Sequence, residues 1–421
     1  MIPAGLARYL RSRGIDGPWE LEGAVGRRFA GAVVIPALAE GDTLFDTLAS
    51  LAAATPPPQP WLTIVVVNNS RQTAPHRQQV NSDDLARLRH SAGVFKGLPL
   101  AWVDAATAGR ELADKDGVGM ARKIGFDLAL SRLDYEGAVP LLTSLDADTL
   151  VRSDYFLALH RHFRQTKTGA AVIPFCHQPA ANAEAQGAID HYELYLHHYA
   201  LGLELASSPY AFWTIGSAMA FRAGDYARMG GMNRRQAGED FYFLQQMAKT
   251  AGVARLRGTE VYPSSRASDR TPFGTGPTVG RLLAGEPEAV RFYHPDCFRL
   301  LARWLALAKT APAAASADLL ARARALSADL GDFLEARAFG LVWERLQRNH
   351  PREDAFLRAF HGWFDGLKTL QLIHFLSDRQ YGRLQPREAL PPLLVWAGLP
   401  PVEQTTAQLQ ALRRHAYGPT A

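Results

Sequence analysis

The sequence predicts an α/β fold, a mixed sheet flanked by helices, followed by a helical appendage. Residues 29–36 and 62–67 are continuous apolar runs rich in Val and Ile. Runs of that kind, lacking alternation, mark strands buried on both faces. Between them, residues 42–54 place Leu44, Phe45, Leu48 and Leu51 at helical spacing,. Strand, helix and strand in that order argue for a parallel sheet. From about residue 295 the composition shifts to Leu, Ala and Arg with helical periodicity,.

Taken in order, residues 1–28 read as a helical or irregular lead-in ending at Arg27-Arg28. The first strand runs to Pro36, where the missing N–H should stop it. Asp42 is positioned to cap the first helix, and the prolines at 56, 57, 58 and 60 form a stiff loop. The second strand ends at Asn68-Asn69-Ser70. A helix is expected at 83–89, a third strand at 100–104, a helix at 119–133 and a fourth strand at 141–145. Ligands of open α/β sheets bind beyond the carboxyl ends of the strands, so the loops after Ile35, Val67 and Leu145 should converge. Next come a Tyr- and His-rich helix at 185–206, a strand at 212–221, a helix opening at Glu239 and an edge strand at 261–265. Residues 265–278 read as a flexible basic loop. Amphipathic helices follow at 319–330, 333–346 and 355–375. The expected division is a lead-in (1–28), an α/β domain (29–294) and a helical domain (295–421).

A chain of 421 residues, 47% hydrophobic and 21% charged, can bury one large core and a smaller one,. No window has the long uncharged run of a membrane-spanning helix. Residues 1–13 lack the apolar core and cleavage site of a signal peptide. Cys176 and Cys297 fit neither a metal knuckle nor a disulfide framework, so a reducing cytoplasm is expected. The net charge of +5 comes from scattered arginines. It forms no basic stripe and accompanies no recognisable module, so no nucleic-acid partner is expected. Phosphate-bearing small molecules or an anionic membrane surface suit such charge better.

Two acidic clusters carry the chemistry. Asp146 and Asp148 follow the fourth strand, where paired carboxylates can hold Mg²⁺ or Mn²⁺ together with substrate phosphates. An isolated Asp-x-Asp is more often a solvated turn; the buried strand before it and the helix after it favour a ligand site. Glu239 and Asp240 open a helix, where acidic residues already favour the dipole. Gly230, Gly231 and Gly238 beside them permit close backbone approach to a ligand, and one carboxylate could serve as a general base. Gly117-Val118-Gly119 lacks the third glycine of a dinucleotide loop and does not follow the first strand, which excludes a nicotinamide site. His191, His197 and His198 share a helix and are best explained as core or surface histidines. Trp304, Trp343 and Trp363 likewise read as core rather than lipid anchors.

In series, these segments resemble family 2 glycosyltransferases of the GT-A fold. Val33 to Glu40 looks like that family's first strand and its Pro-Ala-Tyr-Asn-Glu loop, and Val65 to Ser70 like its second strand. Gly117 to Gly125, with Ala121-Arg122-Lys123, is similar to its glycine-led helix entry. Leu145 to Asp148 is similar to its metal motif. Gly216 to Arg222, Gly230 to Met232 and Gly238 to Asp240 are similar to its acceptor-side block. The resemblance covers about residues 30–280.

It implies an inverting, metal-dependent transfer from a nucleotide-diphosphate sugar to an acceptor hydroxyl. Asp146 would face the nucleoside and, with Asp148, the Mg²⁺ or Mn²⁺. Asp240, beside Glu239, would be the base. Pro36, Ala37, Glu40, Asn68 and Arg122 would frame the nucleotide, and Arg266 and Arg270 would close over the diphosphate. Leu38-Ala39, Asn68 and Lys123 replace the family's Tyr-Asn, Asp and Asn, so base-reading positions are altered while metal and base positions are intact. A non-catalytic sugar- or nucleotide-binding protein is the first rival. A sugar-phosphate nucleotidyltransferase is the second, opposed by the absence of a glycine-rich basic loop at 37–41. The acceptor, a homodimer and a peripheral contact at the inner membrane face are left open.

Overall fold

The computed structural model describes residues 2–24, 26–91, 93–270 and 274–418. They form two compact units. The first comprises residues 1–186, 214–279 and 416–421, and the second residues 187–213 and 280–415.

The first unit is built on an eight-stranded mixed sheet. Its strands are β1 (Glu22–Gly23), β2 (Gly31–Ala37), β3 (Trp61–Asn68), β4 (Leu100–Ala105) and β5 (Leu141–Ser144). After the short β6 (Leu150–Val151) come β7 (Ala170–Val172), β8 (Met219–Arg222) and β9 (Val253–Arg255). Strand order is β1-β4-β3-β2-β5-β8-β7-β9, and β6 pairs separately with β10 (Val261–Tyr262). The expected α/β class with flanking helices is borne out. β2 and β3 are buried at every position, as their unalternated sequences require. They run parallel, Val34 beside Ile64, and β5 lies parallel on the other side of β2, Val34 beside Ser144. The chain leaves β2 toward β3 and β4, then returns to β5, so the strand order reverses beside β2. That is where such sheets open a crevice.

Pro36 does not end β2, which continues to Ala37. Pairing with β5 stops at Val34, so Pro36 pairs only with Val66 of β3, and one side of the ladder needs no N–H there. Of the strand expected at 212–221 only Met219–Arg222 forms; Ala218 N–H instead closes a turn onto Ile215 C=O at 3.0 Å.

Helices α1 (Ala4–Arg13), α2 (Asp42–Ala53), α3 (Pro75–His90), α4 (Val118–Leu130) and α5 (Tyr155–Gln165) belong to this unit. After α6 (Ala183–Leu205) come α7 (Ala223–Met229) and α8 (Glu239–Thr250). Asp42 is the first residue of α2 rather than its cap; Gly41 precedes it at φ +57° and Asp42 pairs with Arg87 at 2.9 Å. α3 begins eight residues earlier than expected, with Pro75 in its first turn, where the missing N–H costs nothing,.

The lead-in is tied to α4. Lys123 Nζ, buried, donates to Tyr9 Oη at 2.7 Å and to Asp127 at 2.8 Å. Tyr9 and Tyr226 hydroxyls each donate to Asp127 at 2.8 Å, and Ile15 N–H at 3.0 Å. Lys123, one of the altered positions, is therefore spent on this buried pair.

In the second unit, α6 supplies residues from 187 onward. Leu194, Leu201 and Leu203 of α6 are part of a core with Phe292, Phe298, Trp304, Phe333, Trp343 and Phe360. Trp304 and Trp343 are fully buried and Trp363 packs against the same core. Two of the long helices expected here are broken at capping residues. Ser327 Oγ accepts from Leu330 N–H, and Asp365 from Lys368 N–H, each starting a new helix. His198 is buried, its Nε2 against Tyr293 C=O, and burial pushes its pKa down to about 3. No helix among the described residues is long and apolar enough to cross a membrane.

Candidate active site

Of the expected residues, Glu40 lies in the loop after β2, and Asp146 and Asp148 lie in the loop after β5. Pro36 and Ala37 lie in β2 itself and are buried. Asn68, the last residue of β3, is also buried; its Nδ2 donates to Ala37 C=O at 3.0 Å and Val66 C=O at 3.1 Å. It ties β3 to β2.

Glu40 projects from the loop after β2 into a cluster with Asp148, Arg266 and Arg270. Glu40 pairs with both guanidinium groups. Asp148 accepts from Arg266 at 3.0 Å and lies 3.5 Å from Arg270. Arg270 also donates to Leu38 C=O at 3.2 Å. Burial, with the neighbouring Glu40 and Asp146 carboxylates, pushes Asp148 up to about 6, and the two arginines oppose that rise.

Arg122 organises the second cluster. It enters on α4, is almost wholly buried, and donates to Asp146, to Glu239 and, through Nε, to Ser144 Oγ at 2.9 Å. Burial alone would lower its pKa; Asp146, Glu239 and Asp240 together raise it. A side chain at Gly216 would collide with this guanidinium. Glu239 is buried, and burial raises its pKa against the pull of Arg122.

Asp240 follows in the first turn of α8, behind Gly238 at φ +68°. Water reaches part of it, but it sits deep among protein atoms. Burial and then the Glu239 charge push its carboxyl up to about 8. The loop before it is braced on the entry of α4. Asn233 Nδ2 donates to Glu239 C=O at 2.8 Å, Gly119 N–H to Arg235 C=O at 3.2 Å, and Gln236 Nε2 to Asp114 C=O at 2.8 Å. Gly117 and Gly119 are thus packing positions for this loop.

Among the described residues no three His, Cys, Asp or Glu side chains are placed to hold a metal ion. A partial set is present. One oxygen of Asp146 and one of Asp148 make no hydrogen bond or ion pair among the described residues. Carboxylate oxygens in that number suit a hard cation that takes its remaining ligands from substrate phosphates and water. The donor set fits Mg²⁺ or Mn²⁺ in that sense.

Sequence reasoning missed Asn81 and Asp84 of α3, which reach the loop after β2. The signal was legible: Asn81, Asp84, Leu85 and Leu88 share one buried helical face, on which two polar residues need partners.

No family model and no curated protein sequence matches this chain. Several solved structures are similar to it. TarS 1–349 of S. aureus in complex with UDP-GlcNAc is 13% identical, over 77% of this chain and 92% of that one, with a TM-score of 0.39. The mannosyltransferase PcManGT from Pyrobaculum calidifontis, in complex with GDP-Man and Mn²⁺, is 15% identical over 97% and 93%, with a TM-score of 0.36. GalNAc-T7 with UDP, GalNAc and Mn²⁺ is 15% identical over 57% and 44%, with a TM-score of 0.34.

Proposed function

We propose that the chain is an inverting glycosyltransferase of the GT-A type that moves a sugar from a nucleotide diphosphate to an acceptor hydroxyl. The observation that carries this reading is the buried Arg122 guanidinium, shared by Asp146 at the end of β5 and Glu239 at the start of α8. It joins the donor-side and acceptor-side carboxylates in one site at the strand-order reversal.

In this reading the loops after β2 and β3 take the nucleoside. Arg266 and Arg270, whose positive charge is now spent on Glu40 and Asp148, turn toward the donor diphosphate. Asp148 and Asp146 would hold Mg²⁺ or Mn²⁺, which neutralises charge on the departing diphosphate. Asp240 accepts the acceptor's hydroxyl proton as that oxygen bonds to the anomeric carbon. The bond from that carbon to the diphosphate oxygen breaks, and the nucleotide diphosphate leaves with the electron pair. A carboxyl poised near 8 suits this role, because a base works best with its pKa close to the working pH,.

The test is thermal stability with UDP, GDP and CMP, each with and without Mn²⁺. Stabilisation by one nucleotide that grows with the metal supports the transferase. No shift with any of them sinks it. Asp240→Asn should keep that shift and lose turnover of the nucleotide sugar; if a nucleotide binds and neither protein turns it over, the non-catalytic binding protein is the better reading.

A further inference from the structure

Asn81 is fully buried on α3, yet its carboxamide serves two loops at once. Its Nδ2 donates to Asn68 C=O at 3.0 Å and to Asn69 Oδ1 at 2.8 Å, both at the end of β3. Its Oδ1 accepts from Ala39 N–H at 2.8 Å, in the loop after β2. Ala39 has φ +53°, a left-handed conformation that crowds the Cβ of any residue but glycine. One turn along α3, Asp84 accepts from Gly41 N–H at 3.2 Å, and Gly41 also has positive φ. The residue between these two anchored positions is Glu40, which pairs with Arg266 and Arg270.

We propose that Asn81 is a positioning residue of the donor site: its carboxamide holds Ala39 left-handed, aims Glu40 at Arg266 and Arg270, and locks the loop after β2 to the end of β3. The inference rests on the reading of these two loops as a nucleotide site. A buried asparagine that merely satisfied the core would influence stability without regard to the conformation of residue 39. Ala39 separates the two roles, because glycine adopts positive φ without the Cβ penalty and needs no carboxamide to hold it there.

The experiment is calorimetric titration of UDP and of GDP, each with Mn²⁺, into wild type, Asn81→Ala, Asn81→Ala with Ala39→Gly, and Ala39→Val. Asn81→Ala should weaken binding of the nucleotide that wild type takes by about tenfold or more. Adding Ala39→Gly should recover most of that loss. Ala39→Val leaves the carboxamide in place but puts a β-branched residue at positive φ, and should weaken binding similarly. Unchanged affinity in Asn81→Ala overturns the inference, as does a loss that Ala39→Gly fails to recover. If Asn81→Ala does not fold, Ala39→Val decides alone, and wild-type affinity in that variant overturns the inference. Wild type binding neither nucleotide would instead remove the donor-site reading, and the inference with it.

Discussion

Arg122 and Glu239, 117 residues apart in the chain, form an ion pair in which both side chains are almost completely buried. Removing one member of such a pair leaves the other charge without compensation in a poor solvent. The expected cost is about 3–5 kcal/mol. Arg122→Ala should lower the urea unfolding free energy by that order. Adding Glu239→Gln should restore part of it, since the neutral amide needs no counter-charge. Equal stability of wild type and Arg122→Ala would show that the pair is not the buried one described.

Asp240 gives activity and stability opposite pH trends. Its pKa is raised from 3.8 to about 8, by burial first and by Glu239 next. Between these values the folded chain keeps a proton that the unfolded chain has lost, so stability from this group is full below about pH 4 and declines up to about pH 8. Transfer needs the ionised form, so turnover should rise over the upper part of that range. Asp240→Asn should abolish turnover and flatten its share of the decline in stability. Denaturation of both proteins at several pH values, beside a pH profile of turnover, checks both halves.

The strands and acidic clusters were legible because their sequences obey single local rules. The β2 and β3 runs are apolar without alternation, and Asp146 and Glu239 sit where a strand ends and a helix starts. The rest depended on partners distant in the chain. Pro36 could remain in a strand only because β5 stops pairing at Val34. Lys123 looked like an altered nucleotide contact, but Asp127, Tyr9 and Tyr226 claim that region, and Tyr9 comes from the lead-in. The first turns of α3, at 75–82, are polar and escape the apolar pattern, although Asn81 shares one buried face with Asp84, Leu85 and Leu88. The break between the helices Ser316–Leu326 and Ala328–Glu335 lies at Ser327, where periodicity continues and only the cap marks the end.

Arg266 and Arg270 should compete with a divalent cation for Asp148. Their guanidinium groups lie 3.0 and 3.5 Å from one of its oxygens, and a cation at that carboxylate would face two positive charges. In the absence of nucleotide, Arg266→Gln with Arg270→Gln should bind Mn²⁺ about tenfold or more tightly than wild type, while losing affinity for the nucleotide diphosphate. Loss of the free Mn²⁺ signal in electron paramagnetic resonance measures the first, and calorimetry the second. Asp148→Asn should abolish the added Mn²⁺ binding; if it does not, the metal sits elsewhere.

Gly119 tests whether the acceptor-side loop positions the base. A Cβ there would lie 2.6 Å from Asn233 C=O oxygen and 2.7 Å from that of Arg235. Both obstacles are backbone, so the loop must move. Asn233 holds the Glu239 carbonyl, and a shift of the loop passes directly to Glu239 and Asp240. Displacement of a catalytic group by about 1 Å can cost on the order of a hundredfold in rate. Gly119→Ala should therefore depress turnover by about tenfold or more, with a smaller loss of nucleotide affinity passed on through the Glu239–Arg122 pair. Stability should fall by about 1–3 kcal/mol, as for other overpacked positions. Loss of nucleotide binding in step with turnover would place the loop on the donor side instead.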